Sequence, residues 1–175
     1  DVIAMANRHP RVDILKPGPG VGGHCIAVDP WFIVDSAPEL TPLIQAARQV
    51  NDGKPEHVVN RILEAARGRE KPRIACLGLS YKANIDDLRE SPAVDIVERL
   101  AERLAGRGEI MVVEPHVAEL PADLAGLKGV RKAELLEALQ QADVIALLVD
   151  HRDFAAVDRK LLAGRPVIDT RGLWR

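Results

Sequence analysis

Cys25 ends the glycine-rich loop Lys16-Pro17-Gly18-Pro19-Gly20-Val21-Gly22-Gly23-His24, and Asp29 follows it four residues later. Glycines let a ligand approach the main chain closely. Reactive thiols occupy such special, polar surroundings, whereas most free cysteines are small core residues. If Cys25 opens a helix, Asp29 falls on the same face one turn on, and the helix N-terminus favours the thiolate. The chemistry expected is nucleophilic attack by sulfur. Cys76, inside Ile74-Ala75-Cys76-Leu77, reads instead as an inert core thiol. His24, Cys25 and Asp29 lack the paired spacing of a zinc site, so no metal is expected there.

The same loop contains Gly18-Pro19-Gly20-Val21-Gly22-Gly23, which matches the dinucleotide fingerprint G-x-G-x-x-G. That fingerprint carries meaning only between a strand and a helix. Here prolines flank the first glycine and no sheet strand leads into it, so the dinucleotide reading is set aside. Gly78 sits where a phosphate-approach turn would sit, but it stands alone after its strand.

These residues need elements to hold them. Residues 1–8 read as helix, ended by His9-Pro10-Arg11 because a residue before proline avoids the helical region. Residues 31–34 read as the start of a helix docked on the core. Thr41 is a candidate N-cap with Pro42 in the first helical position. Leu43, Ala46, Ala47, Val50, Val58, Ile62, Leu63 and Ala66 recur at helical spacing. Gly53 and Pro55 should kink or split that helix. Residues 68–72 are polar and turn-rich, and a domain boundary is placed there. Beyond it, residues 73–77, 110–113, 144–149 and 166–169 read as strands. Residues 91–106, capped by Ser91-Pro92, 135–141 and 154–162 read as helices. The fold class is therefore α/β: a helical central region over residues 1–67, then a parallel sheet with helices on both faces over residues 68–175. Ligands in such sheets bind beyond the carboxyl ends of the strands.

The bulk properties set limits. The chain has 175 residues, is 47% hydrophobic and carries a formal charge of −2, so a packed core is expected and no general attraction to nucleic acid or membrane. The longest aliphatic run, residues 144–149, is far too short to span a bilayer. Two cysteines make no disulfide framework, and a reducing, cytoplasmic setting is expected. No signal-peptide pattern is visible. Asp1 is not an initiator methionine, and Val2, Ile3, Met5 and Ala6 read as the end of a helix begun upstream, so a fragment is expected.

Residues 17–30 resemble the active-site segment of the UDP-glucose/GDP-mannose dehydrogenase superfamily. Residues 6–12 and 27–32 are most similar to its UDP-N-acetyl-D-mannosamine dehydrogenase branch. A second block, residues 78–93, and the end, residues 167–174, fit as well, so the resemblance covers essentially the whole chain. It implies a Rossmann-like UDP-sugar domain at residues 68–175, a dimerising central region, and an NAD domain and general-base lysine upstream of residue 1. It implies Cys25 as nucleophile and Asp29 as a nearby acid that positions water or the thiol. His9, Arg11, Gly22, Tyr81, Lys82 and Arg171 match substrate-contacting positions, and Arg89 matches a contact to the NAD pyrophosphate. Tyr81 replaces a more usual phenylalanine, and Ala83 stands where many relatives carry proline. The implied reaction is a double oxidation of UDP-N-acetyl-D-mannosamine to the uronate by NAD, in a homodimer. Two alternatives stay open: oxidation of UDP-glucose or UDP-N-acetylglucosamine, and an inactive nucleotide-sugar-binding or dimerisation module.

Overall fold

The computed structural model describes residues 2–174. Helix α1 spans Val2–Ala6, and Asp1, read above as part of that helix, lies outside the described residues. Helices α2 (Asp29–Ser36), α3 (Pro42–Asp52) and α4 (Lys54–Ala65) follow. The expected long helix is split at Gly53, with Pro55 in the first turn of α4, where its missing N–H costs nothing. Thr41 stands at the N-cap of α3, as expected, and its carbonyl accepts from Gln45 N–H at 3.0 Å, but its side chain makes no capping bond. Its hydroxyl instead donates to the carbonyls of Ala37 and Pro38, at 3.1 and 3.3 Å.

The sheet comes next. Strand β1 (Arg73–Leu77) leads to α5 (Pro92–Leu104) and β2 (Glu109–Val113). Then come α6 (Ala122–Ala125), β3 (Val130–Lys132), α7 (Leu135–Gln141), β4 (Val144–Leu147), α8 (Arg152–Ala155) and β5 (Val167–Asp169). All neighbours pair in parallel, in the order β3-β2-β1-β4-β5. Such strands are buried on both faces, which is why β1, β2 and β4 are continuous apolar runs. One face packs Val59, Ile62, Ile96 and Leu100 from α4 and α5; the other packs Ala138, Leu139 and Phe154 from α7 and α8. Each large side chain fully buried this way contributes about 1.5–3 kcal/mol.

Two expectations are corrected. Helix α2 exists but is not docked: it buries none of its residues, and Phe32 is 67% exposed. Residues 154–162 are not one helix but the end of α8 and a separate 3-10 turn at Arg159–Leu161, because Asp158 is extended and its side chain caps the turn, accepting from Lys160 N–H at 2.9 Å. Helix α4 packs into the core of the sheet through Val58, Val59 and Ile62.

The chain order reverses between β1 and β4, whose neighbours on the outer sides are β2 and β5. In parallel sheets that switch point opens a crevice beyond the carboxyl ends of the strands. Gly78 closes β1 at φ +93°, where a β-carbon would strike Val149 after β4. Glycine is thus needed here for close backbone packing. The segment after Gly78 is the second sequence block.

Candidate active site

The glycine loop lies across this crevice. Asn51 at the end of α3 accepts from Val21 N–H at 2.8 Å and donates back to Val21 O at 3.4 Å. Asn7 holds Ile14 in the same reciprocal way, fixing the approach to the loop. On the far side the loop rests on the second block. A β-carbon on Gly22 would collide with the Glu90 carbonyl and stand 2.9 Å from Tyr81 Cβ. Gly20 faces Pro92 and Gly23 faces the Tyr81 ring. The two motifs, at residues 17–30 and 78–93, are one packed unit.

Cys25 follows immediately. Its carbonyl accepts from Val28 N–H at 2.9 Å and Asp29 N–H at 2.8 Å. It thereby opens a helical turn that runs into α2, with Asp29 as the first residue of that helix. Cys25 is exposed, whereas Cys76 is fully buried, and burial pushes the Cys76 thiol up to about 12.

A cleft of about 400 Å³ lies between the loop and the strand ends. Gly22, Gly23 and Cys25 line one side, Tyr81, Lys82 and Arg171 another, and Lys16 its rim. Its lining includes three cations and no carboxylate. Such a cleft favours an anion, and a planar guanidinium suits a phosphate in particular. Arg171 is oriented by Asp150, whose Oδ1 accepts from Nε at 2.8 Å. Asp169 fixes the backbone on which Arg171 stands, accepting from the N–H groups of Arg171, Gly172 and Trp174.

Arg89 lies beside the cleft. It clasps Asp87 through Nε at 2.9 Å and Nη2 at 2.6 Å. Those bonds, with one from the Arg89 backbone, hold the Asp87 carboxyl at about 2. Bonding to Asp87 raises the Arg89 guanidinium above its ordinary value, and Tyr81 and Cys25 are near enough to add to that effect.

The structure therefore gathers Gly22, Cys25, Tyr81, Lys82 and Arg171 at one cleft, with Arg89 next to it. It leaves His9 and Arg11 on an exposed turn after α1, where Arg11 N–H donates to His9 Nδ1 at 3.3 Å. Asp29 is exposed and outside the cleft lining. Sequence reasoning missed Lys16 as a wall residue. Its signal was a cation at the head of the glycine loop. Asn51 gave no signal, because its partner is thirty residues away.

Residues 75–175 match the UDP-glucose/GDP-mannose dehydrogenase family, UDP binding domain, and residues 1–53 match the central domain of the same family. The chain belongs to this family. Its relatives in the family include an NDP-N-acetyl-D-galactosaminuronic acid dehydrogenase of Ralstonia nicotianae, 57% identical over 174 residues, covering 99% of this chain and 40% of the relative. A UDP-N-acetyl-D-mannosamine dehydrogenase of Yersinia pestis is 51% identical over 183 residues, covering 100% of this chain and 43% of the relative. Among solved structures of the family, a UDP-D-ManNAc dehydrogenase from Pyrococcus horikoshii superposes with a TM-score of 0.77 at 32% identity, covering 99% of this chain and 40% of that one. The chain thus spans about two fifths of the length of the curated relatives it matches.

Proposed function

We propose that this chain is the catalytic-cysteine and sugar-nucleotide part of an NAD-dependent dehydrogenase that oxidises UDP-N-acetyl-D-mannosamine at C6 to the uronate. The observation that carries this reading is the cleft itself: an exposed cysteine on a glycine loop faces Lys16, Lys82 and Arg171 across a carboxylate-free pocket. The cations take the diphosphate, and Gly22 and Gly23 let the sugar lie against the backbone near Cys25. Residues 1–67 supply the cysteine loop and a self-association surface, and residues 68–175 supply the nucleotide-sugar sheet, with α4 packed into it.

An aldehyde formed at C6 is attacked by the Cys25 thiolate. The new C–S bond gives a thiohemiacetal alkoxide. Loss of a second hydride leaves a thioester, and water then adds to its carbonyl. Collapse breaks the C–S bond, returning thiolate and carboxylic acid. Sulfur suits both roles because it attacks carbonyls well and leaves from thioesters well. Asp29, one turn along from Cys25 and outside the cleft lining, orients that water on this reading. His9 and Arg11 stand away from this cleft on an exposed turn and act, on this reading, on the substrate of a second copy.

The residues present fit one part of an NAD site. The Arg89 side chain is 65% exposed beside Cys25 and Tyr81, a suitable contact for the pyrophosphate. When bound, NAD accepts the two hydrides.

A second reading keeps the mechanism and changes the sugar. The Ralstonia relative, named for N-acetyl-D-galactosaminuronic acid, is 57% identical against 51% for the Yersinia mannosamine enzyme. The test is NADH formation by a protein in which this chain is joined to an upstream NAD domain. UDP-N-acetyl-D-mannosamine should yield two NADH per sugar, and Cys25→Ser should stop acid formation. Full acid production by the serine variant would overturn the thioester route, and turnover with only the galacto sugar would replace the substrate. The 175-residue chain alone should not turn over, since a missing positioned base costs on the order of 10²–10⁴-fold.

A further inference from the structure

Beneath the cleft lies a buried polar cluster. His151, after β4, and Glu114, at the end of β2, have fully buried side chains 3.1 Å apart. Glu114 Oε2 accepts from Leu79 N–H at 2.7 Å and Ser80 N–H at 3.2 Å, and Oε1 accepts from His116 N–H at 2.9 Å. His151 Nδ1 accepts from Asn84 N–H at 2.9 Å. A nitrogen that accepts carries no proton, so the ring N–H is on Nε2 and points to Glu114 Oε2 and Ser80 Oγ, the latter at 3.3 Å. Ser80 Oγ in turn donates to Lys82 O at 2.7 Å. Asn84, at φ +62°, accepts from Arg152 N–H through its side chain at 2.9 Å.

Leu79, Ser80 and Asn84 are thus tied to these two residues and to the start of α8, while Ser91 Oγ also donates to Leu79 O at 2.5 Å and Tyr81 N–H to Asp87 O at 3.2 Å. Tyr81 and Lys82 are the segment's cleft-facing members. We propose that His151 and Glu114 are positioning residues that set the Tyr81–Lys82 wall for the nucleotide sugar; this rests on the reading of the cleft given above. A buried carboxylate is expensive unless its hydrogen bonds are supplied, and the neutral His151 supplies one through Nε2–H. What the pair adds is a fixed place for backbone N–H groups that would otherwise be buried without partners. Tyr81 also carries the glycine loop at Gly22 and Gly23, so the same pair reaches the cysteine loop.

The imidazole can be divided between two substitutions. His151→Asn keeps an acceptor where Nδ1 stands, and His151→Gln keeps a donor where Nε2 stands. The experiment uses the 175-residue chain, with UDP binding by calorimetry and backbone amide exchange by mass spectrometry as readouts. His151→Gln should weaken UDP about tenfold, the effect of one lost buried hydrogen bond with its strain. It should speed exchange in residues 79–84 while β1 and β4 stay protected. His151→Asn should restore most of both. Equal UDP affinity and equal exchange of residues 79–84 in His151→Gln would overturn the proposal, as would identical losses in the two variants. Should both variants unfold, Ser80→Ala removes only the link to Lys82 and must shift exchange in the same segment. Failure of the unaltered chain to bind UDP would count against the cleft reading instead, and the exchange comparison would still decide the positioning role.

Discussion

Gly23 lies against the ring of Tyr81: a β-carbon at residue 23 would stand 2.9 Å from Tyr81 Cε2, at a backbone φ of +93°. The cysteine loop and the second sequence block therefore meet through a contact that only glycine allows. Gly23→Ala should cost about 1–3 kcal/mol by forced displacement and backbone strain. Because Tyr81 is also a cleft wall, the displacement should change the alkylation rate of Cys25. Denaturant unfolding with a Cys25 alkylation time course checks both. Unchanged stability and rate would mean that the loop does not rest on Tyr81.

Acid should unfold the chain partly through Glu114. Burial alone would raise this carboxyl, but hydrogen bonds from His151 and from Leu79 and His116 N–H outweigh it and hold the group at about 2 instead of 4.5. The folded state therefore binds this proton more weakly than the unfolded chain. The stabilisation is fully present above the ordinary value and is lost as the pH falls from there toward 2. The component amounts to roughly 3 kcal/mol. Glu114→Gln should lower stability at neutral pH and flatten the acid limb, read as urea midpoints between about pH 6 and about pH 2.5. Parallel acid limbs in the two proteins would contradict this.

The chain should self-associate. The apolar stripe from Leu43 to Ala66 divides at Gly53: α4 buries Val58, Val59 and Ile62 internally, while α3 buries nothing. Leu43 is 80% exposed and Val50 69%, and Phe32 on α2 is 67% exposed. A second copy is the commonest cover for such a face. Sedimentation at tens of micromolar, matched to a moderate affinity, should show dimers, and Leu43→Glu with Val50→Glu should abolish them. A monodisperse monomer at that concentration would rule the idea out.

Much of the sheet could be read in advance because buried parallel strands are unbroken apolar runs, as in Val144-Ile145-Ala146-Leu147. Strand β3 escaped notice because Val130-Arg131-Lys132 is a short, half-buried edge with no such run. Helix α2 was misplaced for the opposite reason: Trp31, Phe32 and Ile33 are apolar enough to suggest docking, yet they face outward here. In the site, the loop and block residues were legible as motifs. The support under them was not, since Glu114 and His151 are 37 residues apart and meet only through the pairing of β2, β1 and β4. Lone polar residues after apolar strands carry no spacing from which such a meeting can be read.

The most direct measurement is a short iodoacetamide pulse on the 175-residue chain, followed by peptide mapping, with and without saturating UDP-N-acetyl-D-mannosamine. Cys25 is exposed at the cleft and Cys76 is buried with its thiol pushed up to about 12. A protonated, shielded thiol is inert, and a ligand in the cleft shields only what borders it. The predicted result is fast labelling of Cys25 alone, slowed by the nucleotide sugar. Preferential labelling of Cys76, or labelling of Cys25 at the same rate with and without the sugar nucleotide, would contradict the placement of the active site.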